Sequence, residues 1–302
     1  MSTLVSPGSI VVAVDGSQHA KRAVAWAAQQ AALEHRRLVV LSVSPSGKAW
    51  DSLPSGAGSG APSTAEESPL AAAHSIADEA AALVREVEPH VEVEAMVAPG
   101  DPRQVLVDLS SDAHLVVMGS RGRGPLRTML LGSVSSAVVK HAECPVVVCR
   151  SRTGRPHGAG VVVGADGTAD SLPVIEFAFR QASLRGLPLT VLHAYWDAVA
   201  AVAGLRRVPE NLLEGPDVED LRIVLSQSVA GFRERFPDVD VSLRLAHGLV
   251  DEVLVRDRSW DLVVVGRHPV DTVSRVLIGS IADAVLERAH TAVAMVPQAS
   301  PS

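Results

Sequence analysis

The stretch IVVAVDGS, Ile10 to Ser17, returns as VVVGADGT, Val161 to Thr168, and that return decides the architecture. A run of β-branched and small apolar residues, stopped at once by Asp-Gly and a hydroxyl residue, reads as a buried strand ending in a tight turn. Two further blocks repeat. LVVMGSRG (Leu115 to Gly122) returns as LVVVGRHP (Leu262 to Pro269), and LGSVSSAVVKHAECPVVV (Leu131 to Val148) returns as IGSIADAVLERAHTAVAM (Ile278 to Met295). Asp15 and Asp166 stand 151 residues apart, while Gly119 and Gly266, like Gly132 and Gly279, stand 147 apart. Near-constant offsets through three blocks mark a domain duplication. The 302 residues then hold two domains, 1–154 and 155–302, joined through the polar segment SRTGRPHGA (Ser151 to Ala159), and each is long enough to bury a core of its own.

Within each copy, short valine-rich runs alternate with longer periodic segments. The first copy predicts strands over Ile10 to Val14, Leu38 to Val43, Val91 to Val97, Leu115 to Met118 and Pro145 to Cys149. Its helices are predicted over Gln18 to Glu34, Leu70 to Val87, Pro102 to Ser111 and Ser133 to Lys140. The second copy predicts strands near Val161, Leu189, Val241, Leu262 and Ala292, and helices near Val174, Ile223, Val250 and Ile281. Strand-helix alternation of this kind is the pattern of an α/β, doubly wound, five-stranded parallel sheet, here twice in tandem. The tract from Ser44 to Pro69, rich in Gly, Ser and Pro, reads as a mobile loop.

Composition narrows the function. Hydrophobic residues make up 47% of the chain and aromatic ones only 3%, so Ala, Val and Leu must fill the cores. A net charge of −7 argues against general affinity for nucleic acid or an anionic membrane, and no apolar run reaches a bilayer's thickness. The start lacks the features of a secretory signal, so a cytoplasmic chain is expected. Cys144 and Cys149 are the only cysteines and read as buried residues at a strand's ends, not as a disulfide or zinc set. No histidine or carboxylate spacing announces a metal site built from protein ligands.

In such sheets a ligand binds beyond the carboxyl ends of the strands, at the point where the winding reverses. There the first copy places Asp15, after strand one, and Gly119-x2-Gly122-x9-Gly132-Ser133, after strand four. Glycines after a strand can take left-handed angles and admit a ligand close to the main chain, and Gly132-Ser133 opens a helix whose free N–H groups favour an anion. Arg121, Arg123 and Arg127 add positive charge to a chain that is acidic overall. These features together read as a phosphate cradle. His193 reads as a satisfied strand residue, and the Gly-Asp-Pro segment at Gly100 to Pro102 as a turn that starts a helix.

On these motifs the chain resembles the universal stress protein family, in its tandem, ATP-binding form and with that family's adenine nucleotide alpha hydrolase-like fold, over nearly its whole length. The resemblance implies ATP in the first domain. Asp15 would stand at the ribose and adenine side, and Val43 would meet adenine through its backbone. Gly119, Gly122, Gly132, Ser133 and Ser135 would hold phosphates and ribose, with Ala13, Val14, Met118, Arg121 and Val134 completing the wall. Mg2+ would accompany the triphosphate. The second copy retains Asp166, Ala194, Gly266, Gly279 and Ser280 as the elements of a second, degenerate site. Pro269 replaces its second glycine and removes an N–H donor, Ala282 replaces Ser135, and His268 joins the loop.

Three readings stay open at this point. The resemblance implies a nucleotide-dependent regulator in stress adaptation and growth control. A weak ATPase is the second, although the chain has no G-x4-G-K-[ST] loop and no evident base to position water. A nucleotide-independent interaction scaffold is the third. The apolar last strands, Pro145 to Cys149 and Ala292 to Val296, imply pairing of the two domains and of two chains in a homodimer.

Overall fold

A computed structural model describes residues 5–45, 68–122, 131–150, 158–195, 216–257, 259–267 and 279–298, with side chains at all of them except 216–218 and 279–282. Residues 46–67 of the Gly-Ser-Pro tract, 151–157 of the linker, Arg123, Arg127, His268 and Pro269 lie outside the described residues. The chain divides into two compact units, Met1–Cys144 and Pro145–Ser302.

In the first unit β1 (Ile10–Val14), α1 (Gln18–Glu34), β2 (Leu38–Ser44), α2 (Pro69–Val87), β3 (Val93–Pro99), α3 (Pro102–Leu109), β4 (Leu115–Gly119) and α4 (Ser133–His141) follow one another. The strand order is β3-β2-β1-β4 and its three neighbouring pairs are parallel, with Ile10 opposite Leu38 on one side and Leu115 on the other. The winding therefore reverses between β1 and β4. Burial explains the composition of the strands: β1 and β4 are apolar nearly throughout because both faces are covered, whereas β3, at the edge, exposes Glu94 and Ala95. Small residues set the helix spacing. Ala20, Ala23, Ala27, Ala28 and Ala31 line the buried side of α1, and Ala73, Ala77 and Ala81 that of α2, which lies against it.

Local signals fix the helix ends. Ser17 caps α1 by accepting from the N–H of Ala20 at 3.2 Å, and His35 closes it with a left-handed φ of 52°. Asp101 caps α3 ahead of Pro102, and Gly100 turns there with a φ of 140°.

The second unit contains β5 (Val146–Cys149), β6 (Val161–Gly164), a 3-10 turn (Ala169–Ser171), α5 (Leu172–Arg185), β7 (Leu189–Tyr195), α6 (Pro216–Arg235), β8 (Val241–His247), α7 (Val250–Arg256), β9 (Leu262–Arg267), α8 (Gly279–Arg288) and β10 (Ala292–Pro297). Parallel strands run in the order β10-β9-β6-β7-β8, and β5 lies antiparallel to β10, with Val148 opposite Val293. Cys144 precedes β5 and Cys149 ends it, both buried. This unit fills its helix interface differently. Phe179 is fully buried and stacks on Phe232 and Phe236, with ring centroids 5.5 and 5.8 Å away, where the first copy has Ala28 at the matching place.

At the amino end of β4 the first unit holds a buried ionic cluster. The Glu34 carboxylate accepts from Gln30 at 2.9 Å and lies 2.9 Å from His114 and 3.4 Å from Arg36. Burial pushes its pKa up, but the His114 hydrogen bond and charge, with Gln30 and Arg36, outweigh that and hold it below the ordinary glutamate value.

Candidate functional site

The carboxyl ends of β1 and β4 carry the sequence-predicted residues of the first copy. Beyond Ala13 and Val14 the chain turns at Gly16, with a φ of 76°, and the N–H of Ser17 donates to Asp15 Oδ1 at 3.0 Å. That Asx turn orients the carboxylate while Ser17 starts α1. Across the crevice, β4 ends at Met118 and Gly119 and continues as Ser120, Arg121 and Gly122.

Why glycine stands at 119 and 122 is settled by space. Neither residue, nor Gly132 with its φ of −73°, adopts the left-handed conformation expected from their position in the motif. Close approach is the reason instead. A Cβ on Gly119 would fall 2.8 Å from the backbone carbon and from the Cβ of His19, so only glycine lets β4 end against the first turn of α1. A Cβ on Gly122 would fall 2.5 Å from Asp15 Oδ2. The two halves of the motif, 107 residues apart in sequence, thus meet at one point.

Three successive carbonyls of this loop are held from outside it. Ser135 Oγ donates to the carbonyl of Gly119 at 2.9 Å, the N–H of Gly132 to that of Ser120 at 2.9 Å, and Ser17 Oγ reaches that of Arg121 at 3.4 Å. Ser120 is buried, and its hydroxyl stands 3.4 Å from His19 Nδ1. The start of α4 is the other wall: Gly132 gives it no side-chain cap, Ser133 is exposed, and Val134 is half-buried. First-turn amides of such a helix suit an anion. Arg121 adds a second sign of a missing partner, because its Nε is buried with no hydrogen-bond partner among the described residues. Val43, half-buried near the end of β2, lies opposite Ala98, and the carbonyl of the next residue, Ser44, accepts from the N–H of Gly100 at 2.9 Å.

The first copy therefore brings together Ala13, Val14, Asp15, Met118, Gly119, Arg121, Gly122, Gly132, Ser133, Val134 and Ser135 at one switch point, with Val43 on the next strand. Ser17, His19 and Ser120 belong to the same ensemble and were not singled out from sequence. A signal for Ser17 exists: a hydroxyl residue just before a periodic helix is a capping position.

The second copy is built differently at the same places. Asp166 Oδ1 accepts both the N–H and the hydroxyl of Thr168, at 2.9 and 2.7 Å. Burial raises the pKa of this carboxyl, but the bonds from Thr168 and Ser171 outweigh it and hold the group below the usual aspartate value. The chain then makes a 3-10 turn, and α5 begins only at Leu172. Strand β9 stays paired with β10 as far as Arg267 opposite Pro297, and the N–H of Gln298 donates to the Arg267 carbonyl at 3.1 Å. In the first copy the matching carbonyl, that of Ser120, accepts from Gly132. A Cβ on Gly266 would fall 2.7 Å from Gln298 Nε2. Ala194 is half-buried on β7, His193 Nδ1 lies 2.9 Å from the carbonyl of Ala165, and Gly279 and Ser280 open α8.

Comparison with known proteins agrees with the duplication and the fold. The model of the universal stress protein family matches residues 8–150 and again 160–297. Universal stress protein Rv2005c of Mycobacterium tuberculosis is 34% identical over 295 residues, covering 96% of this chain and 97% of its own. Universal stress protein Rv2623 of the same organism is 33% identical over 305 residues, covering 97% of each. Among solved structures, a universal stress protein from Archaeoglobus fulgidus superposes with a TM-score of 0.67 at 17% identity, covering 97% of both chains, a likeness of fold. Two matches to one family model and full-length relatives above 30% identity place this chain in the universal stress protein family, with the family's domain present twice in tandem.

Proposed function

We propose that the chain binds ATP in the crevice of its first copy and acts in the cytoplasm as a nucleotide-dependent regulator in stress adaptation and growth control. One observation carries this reading: Gly122 leaves room for the Asp15 carboxylate beside a loop whose carbonyls from Gly119 to Arg121 are engaged and whose Arg121 Nε is buried with no hydrogen-bond partner among the described residues. A glycine loop with its carbonyls turned to protein donors presents its amides to a polyphosphate. Residues fitting the nucleotide are those named above. Asp15 and the Val43 backbone would take the nucleoside, and Arg121, Gly122, Gly132 and Ser133 the phosphates, with Mg2+ accompanying them. Bound ATP supplies charge and contacts that bias the protein's conformation or partners.

The second copy, with Pro269 and Ala282 in its motif, is proposed as a weaker site around Asp166, Ala194, Gly266, Gly279 and Ser280. Domains of 1–154 and 155–302, pairing of the two copies and homodimers of the chain complete the proposal; the valine-rich last strands support the pairing. The test is to denature freshly purified protein, chromatograph the released small molecules, and titrate stripped protein with ATP. About one adenine nucleotide per chain, or saturable ATP binding, is expected. Failure to find or titrate any nucleotide would replace this reading with the interaction scaffold, and steady phosphate release would favour the weak ATPase.

A further inference from the structure

The same loop shows how its shape is held before any ligand arrives. Ser135 is buried, and its hydroxyl is committed to the Gly119 carbonyl at 2.9 Å. Ser17 is tied three ways: its N–H to Asp15, its Oγ as acceptor from Ala20 and as donor toward the Arg121 carbonyl at 3.4 Å. We propose that Ser17 and Ser135 are positioning residues, a pair of hydroxyl clamps that fix the phosphate loop from the two helices flanking it without touching the nucleotide. The inference rests on the nucleotide reading above and revises one part of it, since the family resemblance puts Ser135 on the ligand.

The duplicated copy supplies an internal comparison. Its counterpart of Ser17 is Thr168, whose hydroxyl donates to Asp166 at 2.7 Å. Its counterpart of Ser135 is Ala282, which has no hydroxyl. Both clamps are gone, by two different routes. The strand end there is held to β10 and Gln298 instead. A clamped loop loses less freedom on binding, so the clamp acts through affinity. Each hydroxyl has an expected worth of about two- to tenfold in ATP affinity, the range of one neutral hydrogen bond.

The test combines ATP titration with amide hydrogen exchange on the nucleotide-free full-length protein. Ser135→Ala should weaken ATP binding about fivefold and speed exchange of the amides at 119–122 before nucleotide is added. Ser17→Gly keeps an acceptable helix cap and loses the donor, so affinity falls by a similar factor while the thermal midpoint holds. The double variant should lose less than the product of the singles, because both clamps hold one loop. If Ser135→Ala weakens binding while exchange in the free protein is unchanged, the hydroxyl touches the nucleotide and the clamp is wrong. Unchanged affinity in both single variants also overturns it. Wild-type protein that binds no ATP fails the nucleotide reading itself, and this inference falls with it.

Discussion

Replacing Gly119 or Gly122 by alanine adds the same methyl group in two places three residues apart, and the two outcomes should differ in kind. At Gly119 the new Cβ would lie 2.8 Å from the carbonyl carbon and Cβ of His19 and 3.0 Å from its carbonyl oxygen. Those are backbone or near-backbone atoms of a capped helix, so either β4 or α1 must move. Overpacking of this sort costs about 1–3 kcal/mol, and each kcal/mol lowers Tm by about 2–4 °C in a domain of this size. At Gly122 the new Cβ would lie 2.5 Å from Asp15 Oδ2, the far end of a side chain that can rotate. Stability should then change by less than about 0.5 kcal/mol. The carboxylate, however, leaves its place. If it accepts a nucleoside hydrogen bond, the loss is that of a charged bond, about 1.5–3 kcal/mol, or roughly 10- to 100-fold in affinity. Thermal unfolding and ATP titration of the two variants decide the matter. A stable Gly119→Ala would show that β4 does not abut α1 as described. An unaltered affinity in Gly122→Ala would show that the Asp15 position is irrelevant to the ligand.

Further predictions follow from particular contacts. Asp15→Asn can still form the turn with Ser17, so it should fold normally while binding ATP about tenfold more weakly, read by titration. Glu34 has a folded-state pKa below its ordinary value of 4.5, so its cluster stabilises the fold above that pH and the contribution fades as acid titrates the folded carboxylate. Glu34→Gln should flatten the acid limb of a stability-against-pH curve; an unchanged limb would show that the cluster adds nothing. Phe179→Ala empties the ring stack between α5 and α6 and should cost about 3–5 kcal/mol in the second unit, measured by denaturant unfolding. A loss below about 1 kcal/mol would mean that Phe232 and Phe236 close the gap.

The fold was readable in the sequence where local pattern and burial coincide. The extent of β1 and α1 matches the expected span because a strand apolar on both faces is followed by a hydroxyl cap and an alanine-lined helix. The loop that begins at Gly119 was less readable. Glycine there was expected to provide left-handed angles, but the requirement comes from His19 and Asp15, residues brought close only by the tertiary fold. In the same way, nothing local to Thr168 announces that its hydroxyl turns back to Asp166 while that of Ser17 faces the loop. Nor does the motif disclose that β9 runs on beside β10 to Arg267. A repeat aligns residues. Hydrogen-bond partners are chosen by what surrounds them, and the two copies have diverged there.

The central claim is that the nucleotide lies where the first copy's glycine loop meets Asp15. A crystal structure of the full chain grown with ATP and Mg2+ tests it most directly. The account predicts phosphate oxygens against the amides of Gly122 and Ser133, with Ser17, Gly132 and Ser135 still bonded to the loop carbonyls. ATP bound at the second copy alone, or a first-copy crevice closed by side chains at saturating ATP, would contradict it.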